Sequence, residues 1–300
     1  MVSHIISPPS LHISSLTYVG ILAQPPLSAF SGIVVVQPIW CRAYSKHLSP
    51  LMMLEHLADC LERFIPSCRH YKQASYNAAQ PVTSQWAAWL SIVPLLLDVD
   101  RSCSSIWVPH SLEGLYDVVT FTEATEASFC VFYEPTIDCH MFKKEWGAMI
   151  MPEQQVAVSH TIHISAPCPG FDVGTPSQAV YLLQATGTKS FFVAEWTCTV
   201  FLHPSLCTSV ISQSGYYKTD PTQQCAIYSR FHKALLLIGL QLEPFFDASL
   251  AIYSWQQQRG CFSSTCTYIQ MHGKGSSMCP LDQVFISAEL GMSSMLFHNW

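Results

Sequence analysis

The residues best equipped for chemistry lie between positions 138 and 163. Asp138, Cys139 and His140 set a carboxylate, a thiol and an imidazole side by side. A thiolate nucleophile needs a base to take its proton and a third group to orient that base. Neighbouring side chains on a strand point to opposite faces, so Cys139 does not pair directly with His140. A hairpin would instead bring Cys139 to His160 or His163. Cys139, His140 and His160 are therefore the first residues to test for catalysis. Each also has an ordinary role, as a half-buried thiol or a surface imidazole.

His160 and His163 are three apart. A helix would aim both at one ion. The flanking Val156-Ala157-Val158 and Ile162-His163-Ile164 read as strand, which separates them, so no shared metal is expected. Cys60, Cys68 and His70 match no zinc spacing. Asp98 and Asp100 would share a face of a strand, and Glu123 and Glu126 sit in a turn; both pairs read as short acidic loops rather than proton-sharing pairs.

Other motifs fail on order. Gly187-Thr188-Lys189-Ser190 and Gly273-Lys274-Gly275-Ser276 lack the spacing that cradles a phosphate. There is no G-x-G-x-x-G, no G-x-S-x-G, no H-E-x-x-H and no C-x-x-C. No cofactor and no metal are expected from these patterns.

The elements that must position any site come from periodicity. Ser49 and Pro50 announce a helix that carries Leu51, Leu54, Leu57, Ala58, Leu61 and Phe64 on one face and ends at Pro66. A second helix runs from Thr83 or Ser84 to Leu97, apolar nearly all round, with Pro94 as a kink or boundary. Strands are expected at 116–122, 128–133, 148–151, 155–165, 179–184 and 190–202. Helical spacing returns at 223–242 and 245–258, Gly260 stops the second of these, and 284–287 could add a strand. The fold class is α+β: a mainly antiparallel sheet flanked by N- and C-terminal helices, which pack on one face. Residues 1–48 read as an irregular, apolar, Pro-rich segment, 49–260 as the domain, and 261–300 as a Ser/Gly/Cys-rich tail.

Composition bounds the function. The chain has 300 residues, 14 basic and 20 acidic, a net charge of −6, and a mean hydropathy of +0.24. Charged residues make up 11%, against roughly 25% in ordinary soluble domains. So few basic groups cannot neutralise many phosphates, which excludes general nucleic-acid binding. Thr17 to Val36 carries no charge, but Pro25-Pro26 breaks it, so no membrane span is expected. The first basic residue is Arg42, which fits neither a secretory leader nor a transit peptide. The 13 cysteines are odd in number and irregular in spacing. They read as buried free thiols of a reducing compartment, and the expected location is cytoplasmic.

Three functions fit. The first is an accessory or binding protein with a neutral surface and an apolar pocket or partner face, suited to an apolar small molecule or a protein partner. The second is a small-molecule enzyme (hydrolase, transferase or isomerase) whose Cys, His and Asp residues meet only in three dimensions. The third is a reading frame without selected function.

Overall fold

The computed structural model describes residues 53–66, 70–123, 125–135, 142–197, 200–201, 244–260 and 266–272. The described elements are α1 (Leu54–Arg63), α2 (Gln73–Ala79), α3 (Thr83–Leu97), β1 (Asp117–Thr122), β2 (Ser128–Tyr133), β3 (Ala148–Pro152), β4 (His160–Ala166), α4 (Thr175–Thr186), β5 (Thr188–Val193), α5 (Pro244–Gln258) and β6 (Cys266–Gln270). The fold is α+β, with one mixed six-stranded sheet in the order β1-β2-β3-β5-β4-β6. Three of its pairings are antiparallel, β1 with β2, β2 with β3 and β3 with β5. β4 runs parallel to both β5 and β6.

The central strands β2, β3 and β5 are buried on both sides, and this places the helices. Cys130, Phe132, Met149, Met151 and Phe192 join a core with α3 and α5. Their neighbours Val131, Ala148, Ile150, Phe191 and Val193 join a second core with α1 and α4. Alternate side chains of each strand thus feed opposite layers. Helices cover both faces of the sheet, which corrects the expectation of one covered face. The physical sign was present in SFCVFY and KSFFV: continuous apolar runs mark strands with no solvated side.

α1 forms because Leu54, Leu57, Ala58 and Leu61 recur at helical spacing and are all buried. It begins at Leu54 rather than at the expected Pro50, because Met53 is extended backbone. The first N–H of the helix, on Leu54, donates to Glu123 Oε1 at 2.7 Å, across 69 residues of sequence. Glu123 also accepts from Gln184 Nε2 of α4 at 2.6 Å. One buried carboxylate thus fastens α1 and α4 to the end of β1. Its pKa is raised, chiefly by burial. Glu123→Ala is expected to leave both donors unsatisfied and to lower stability by about 1–3 kcal/mol. A shift of the urea midpoint measures this, and an unchanged midpoint would refute the fastening role. Glu126, which the sequence sets with Glu123 in a turn, is exposed there with a positive φ of 66°, whereas Glu123 is buried.

α3 follows its predicted bounds and continues through Pro94, whose carbonyl accepts from Asp98 N–H at 2.9 Å. Asp98 caps this helix rather than lying on a strand. It pairs with Arg259 and accepts from Trp255 Nε1 at 2.9 Å.

The run at 179–184 is helix, not strand. Pro176 stands in the first turn of α4, and Ala179, Val180 and Leu183 are buried. Gly187, at φ 60°, ends it. A side chain there would press on Ser159 Oγ and the Ala157 carbonyl. With α4 as the crossover, β4 and β5 can be parallel, as such pairs require. The expected strand at 155–165 begins only at His160, and that at 190–202 stops at Val193. The helix at 245–258 is α5, and Gly260 follows it at φ 66°. β6, within the C-terminal segment, completes the edge beside β4. The expected helix at 223–242 and strand at 284–287 lie outside the described residues.

The cysteine reading also changes. Cys130 of β2 is bonded to Cys103, with Cα atoms 5.2 Å apart. Cys168 and Cys266 are disulfide-bonded as well. Cys60 is buried in α1. Among the described residues no helix is long and apolar enough to cross a membrane.

Candidate functional site at one end of the sheet

Strand register gathers the chemically unusual groups. Val193, the last residue of β5, lies beside Ala148, the first of β3, and beside Ala166 at the end of β4. Phe132 near the end of β2 pairs with Met149, and Tyr133 pairs with Asp117 at the start of β1. The segments running off these ends carry Tyr116, Glu134, Glu145, Gly147, Cys168, Asp172 and Glu195. In sheets with parallel strands, ligands bind beyond the carboxyl ends of those strands. Here that end belongs to β4, β5 and β6.

Three buried carboxyl groups form the electrostatic centre. Glu134 accepts from the successive backbone N–H groups of Lys143 (2.6 Å), Lys144 (2.8 Å) and Glu145 (2.7 Å). Burial raises its pKa, and these three donors hold the rise back. Glu195 is fully buried. Its Oε2 accepts from the Tyr116 hydroxyl and from Gly147 N–H, each at 3.3 Å, while Oε1 has no hydrogen-bond partner. Burial, with the Glu134 charge behind it, drives its pKa well above the carboxylate range. Glu145 is pushed up to about 9, first by burial and then by Glu134, against the opposing influence of the Tyr71 hydroxyl. Its Oε2 lacks a hydrogen-bond partner of full geometry. Near neutral pH, Glu145 is therefore a neutral acid beside Glu134, and burial pushes Glu195 in the same direction.

Local backbone supports this arrangement at some strain. Glu145 has φ 59°, unusual for a residue with a side chain. Gly147 has φ 134°, and a Cβ there would lie 2.8 Å from the Val193 carbonyl oxygen. Aromatic rings close over the cluster. Tyr116 stacks on Phe132 and on Trp146, with centroids 4.9 and 5.5 Å away. Its hydroxyl accepts Trp146 N–H at 3.0 Å. Burial raises the Tyr116 and Tyr71 pKa values, and the neighbouring glutamates add to both. The cluster can donate hydrogen bonds and protons, but its carboxyls are sealed inside the aromatic core.

The turn after β4 is the other feature of this end. Phe171 and Asp172 N–H both donate to the Cys168 carbonyl, at 3.2 and 2.9 Å. Thr175 Oγ1 donates to the Asp172 carbonyl at 2.7 Å. Gly170 N–H donates to Glu62 Oε1 of α1 at 3.2 Å. The turn is thus anchored on both sides. Asp172 is 7% exposed, yet Phe171 and Val173 beside it are 64% and 79% exposed. After β6, Met271 N–H donates to the Ser165 carbonyl at 2.8 Å, which sets His272 beside Asp172. His272 Nδ1 and Asp172 Oδ2 are 3.0 Å apart.

The residues proposed from sequence are not brought together here. His160 is exposed at the start of β4, the opposite end from the acids. Cys139 and His140 lie outside the described residues; in sequence they belong to the segment joining Glu134 to Phe142. His163 is fully buried, with Nδ1 2.7 Å from Ser190 Oγ and its ring edge-on to Trp255. Burial, with Lys189 nearby, lowers its pKa to about 3, so it is neutral and structural. Lys189 is itself held down to about 8, mainly by burial.

Sequence reasoning missed Glu134, Glu145 and Glu195. A usable signal existed. In a chain this poor in charge, a lone glutamate inside FYEP or AEWT is a charge in an otherwise apolar run. Comparison with protein-family models, with curated proteins and with solved structures gives no match.

Proposed function

We propose that the chain is a binding protein that docks through the turn between β4 and α4 to a protein partner offering an uncharged apolar cleft. The observation that carries this reading is the alternation at 171–173. Phe171 and Val173 point outward at 64% and 79% exposure, while Asp172 between them is held inside. Two large apolar side chains presented from an anchored loop support recognition, since functional contacts concentrate on loops that a rigid scaffold positions. An apolar small molecule fits this convex tip less well, because such ligands take concave sites.

A photo-reactive phenylalanine analogue at position 171 tests the reading in cells that make the protein. A discrete cross-linked adduct is expected, and Val173→Ser should remove it. That substitution is at the surface and should change stability by no more than about 0.5 kcal/mol. No adduct, or an adduct indifferent to Val173→Ser, would sink the proposal.

A second reading, a small-molecule enzyme, draws support from one observation: Glu145 combines a strained backbone with a carboxyl kept neutral near pH 7. Its acid–base residues would then be Glu145 and Glu195 rather than Cys139, His140 and His160. Catalysis would require the aromatic cover at Trp146 to open. As for location, the cytoplasmic expectation rested on free thiols. The disulfide-bonded Cys103, Cys130, Cys168 and Cys266 support an oxidising compartment instead.

A further inference from the structure

We infer that Cys168, Asp172 and His272 form a redox-gated site for a divalent transition-metal ion of the zinc class. One possible ligand atom from each, the Cys168 sulfur, an Asp172 carboxylate oxygen and a His272 ring nitrogen, all lie within 4.8 Å of one another. Sulfur, imidazole and carboxylate are the donor types that zinc takes, at about 2.0–2.3 Å from the ion. Donors bound at those lengths around a tetrahedral ion sit roughly 3–4 Å apart. The observed spacing is therefore closed by small side-chain rotations.

The site is built rather than incidental. Cys168 and Asp172 are both buried. Their spacing is set by the turn in which the Cys168 carbonyl accepts two backbone N–H groups. His272 comes from the end of β6, whose parallel pairing with β4 carries it there across 100 residues of sequence. His272 is the exposed member, which gives an ion a route in from solvent. Asp172 and His272 already touch, so an ion would replace the contact between them.

Cys168 supplies the gate. It is disulfide-bonded, and a disulfide sulfur has no thiolate charge with which to hold zinc. A dithiol reductant breaks the S–S bond by transferring two electrons and two protons. The products are two protein thiols, one of them Cys168, and the oxidised reductant. Binding of the ion then forms a sulfur–metal bond and releases the Cys168 proton to solvent. Three protein ligands leave a fourth position open to water, the pattern of zinc sites that are not purely structural. The expectation that this chain binds no metal is revised for the reduced form. The site stands independently of any docking by Phe171 and Val173.

The test titrates Zn2+ and, as a spectroscopic probe, Co2+ into the full chain before and after reduction with a phosphine, which does not itself compete for the ion. The other cysteines make substitution essential. Reduced wild type is expected to bind one more ion than reduced His272→Gln. Its cobalt complex should show thiolate-to-metal absorption that is weaker in both His272→Gln and Cys168→Ser. Asp172→Asn should weaken binding on the order of tenfold or more, as removing even supporting partners does. His272→Gln alters a partly exposed side chain, so an unchanged thermal melt confirms that the variant is folded. Equal stoichiometry and absorption in reduced wild type and His272→Gln would overturn the site. Binding that is the same before and after reduction would overturn the gate.

Discussion

Trp89→Ala is expected to remove about 3–5 kcal/mol, the range for truncating a buried tryptophan or phenylalanine. Few substitutions in this chain should do more. Trp89 lies on α3 with its ring 5.1 Å from Tyr116, 5.5 Å from Phe132 and 5.6 Å from Trp146. Its Nε1 donates to the Pro244 carbonyl at the start of α5, at 2.9 Å. Truncation thus opens a cavity under three rings and leaves a buried carbonyl without its donor. The loss is a large part of the roughly 5–15 kcal/mol that holds a domain together. Trp107 is the internal control. It is mostly exposed, and Trp107→Ala should shift stability by no more than about 0.5 kcal/mol. Urea unfolding followed by far-UV dichroism checks both. Equal midpoints for the two variants would contradict the packing described for α3. The same experiment addresses the reading of an unselected frame, which predicts a broad transition; a sharp one in wild type argues against it.

The second large effect is on pH. Burial holds Glu145 up to about 9, Asp247 up to about 8, and Glu195 well above its usual range. The unfolded chain gives up these protons above about pH 4.5, while the folded chain keeps them. Between those limits the unfolded state binds fewer protons, so stability falls as pH rises. His163, held down to about 3, acts in the opposite sense and destabilises the fold as pH drops below about 6.5. Lys189, held down to about 8, returns some stability above that pH. Three carboxyls outweigh these two groups, so stability should fall from about pH 5.5 to about pH 8.5. Each pH unit inside one such window is worth up to about 1.4 kcal/mol, so the loss should amount to several kcal/mol. Glu145→Gln should flatten the slope by removing one titrating group while keeping a neutral side chain. Urea midpoints at the two pH values measure this. A midpoint that is higher at the alkaline pH would contradict the neutral-acid assignment.

Local pattern carried part of this structure and topology carried the rest. α3, β1, β2 and β3 were legible because each stands between clear turn residues and is periodic or apolar along its whole length. The stretch AVYLLQ was not. A run of six apolar-rich residues fits strand or helix equally well, and Thr175-Pro176 at one end with Gly187 at the other decides for helix. Misreading α4 hid the parallel pairing of β4 and β5, because a parallel pair needs that crossover. It also hid the site. Glu134, Glu145 and Glu195, or Cys168 and His272, become neighbours only when strand ends are aligned by register. Cys139 and His140 drew attention because they adjoin in sequence, whereas the groups the fold assembles are up to 104 residues apart, from Cys168 to His272.

β6 has a consequence for synthesis. It follows α5 and lies more than 70 residues beyond β5. β1 to β3 can pair in the order in which they leave the ribosome, and β5 then joins β3 to β4, but the outer edge of β4 must wait for residues 266–270. Through that interval β4 shows a row of unpaired N–H and C=O groups to any other nascent strand, the condition under which chains associate edge to edge. The register shift between His160 and His163 lies on the β5 side of the strand, whereas the outer edge pairs without interruption from Thr161 to Ser165. That regular edge is bare during the one period when its native partner does not yet exist.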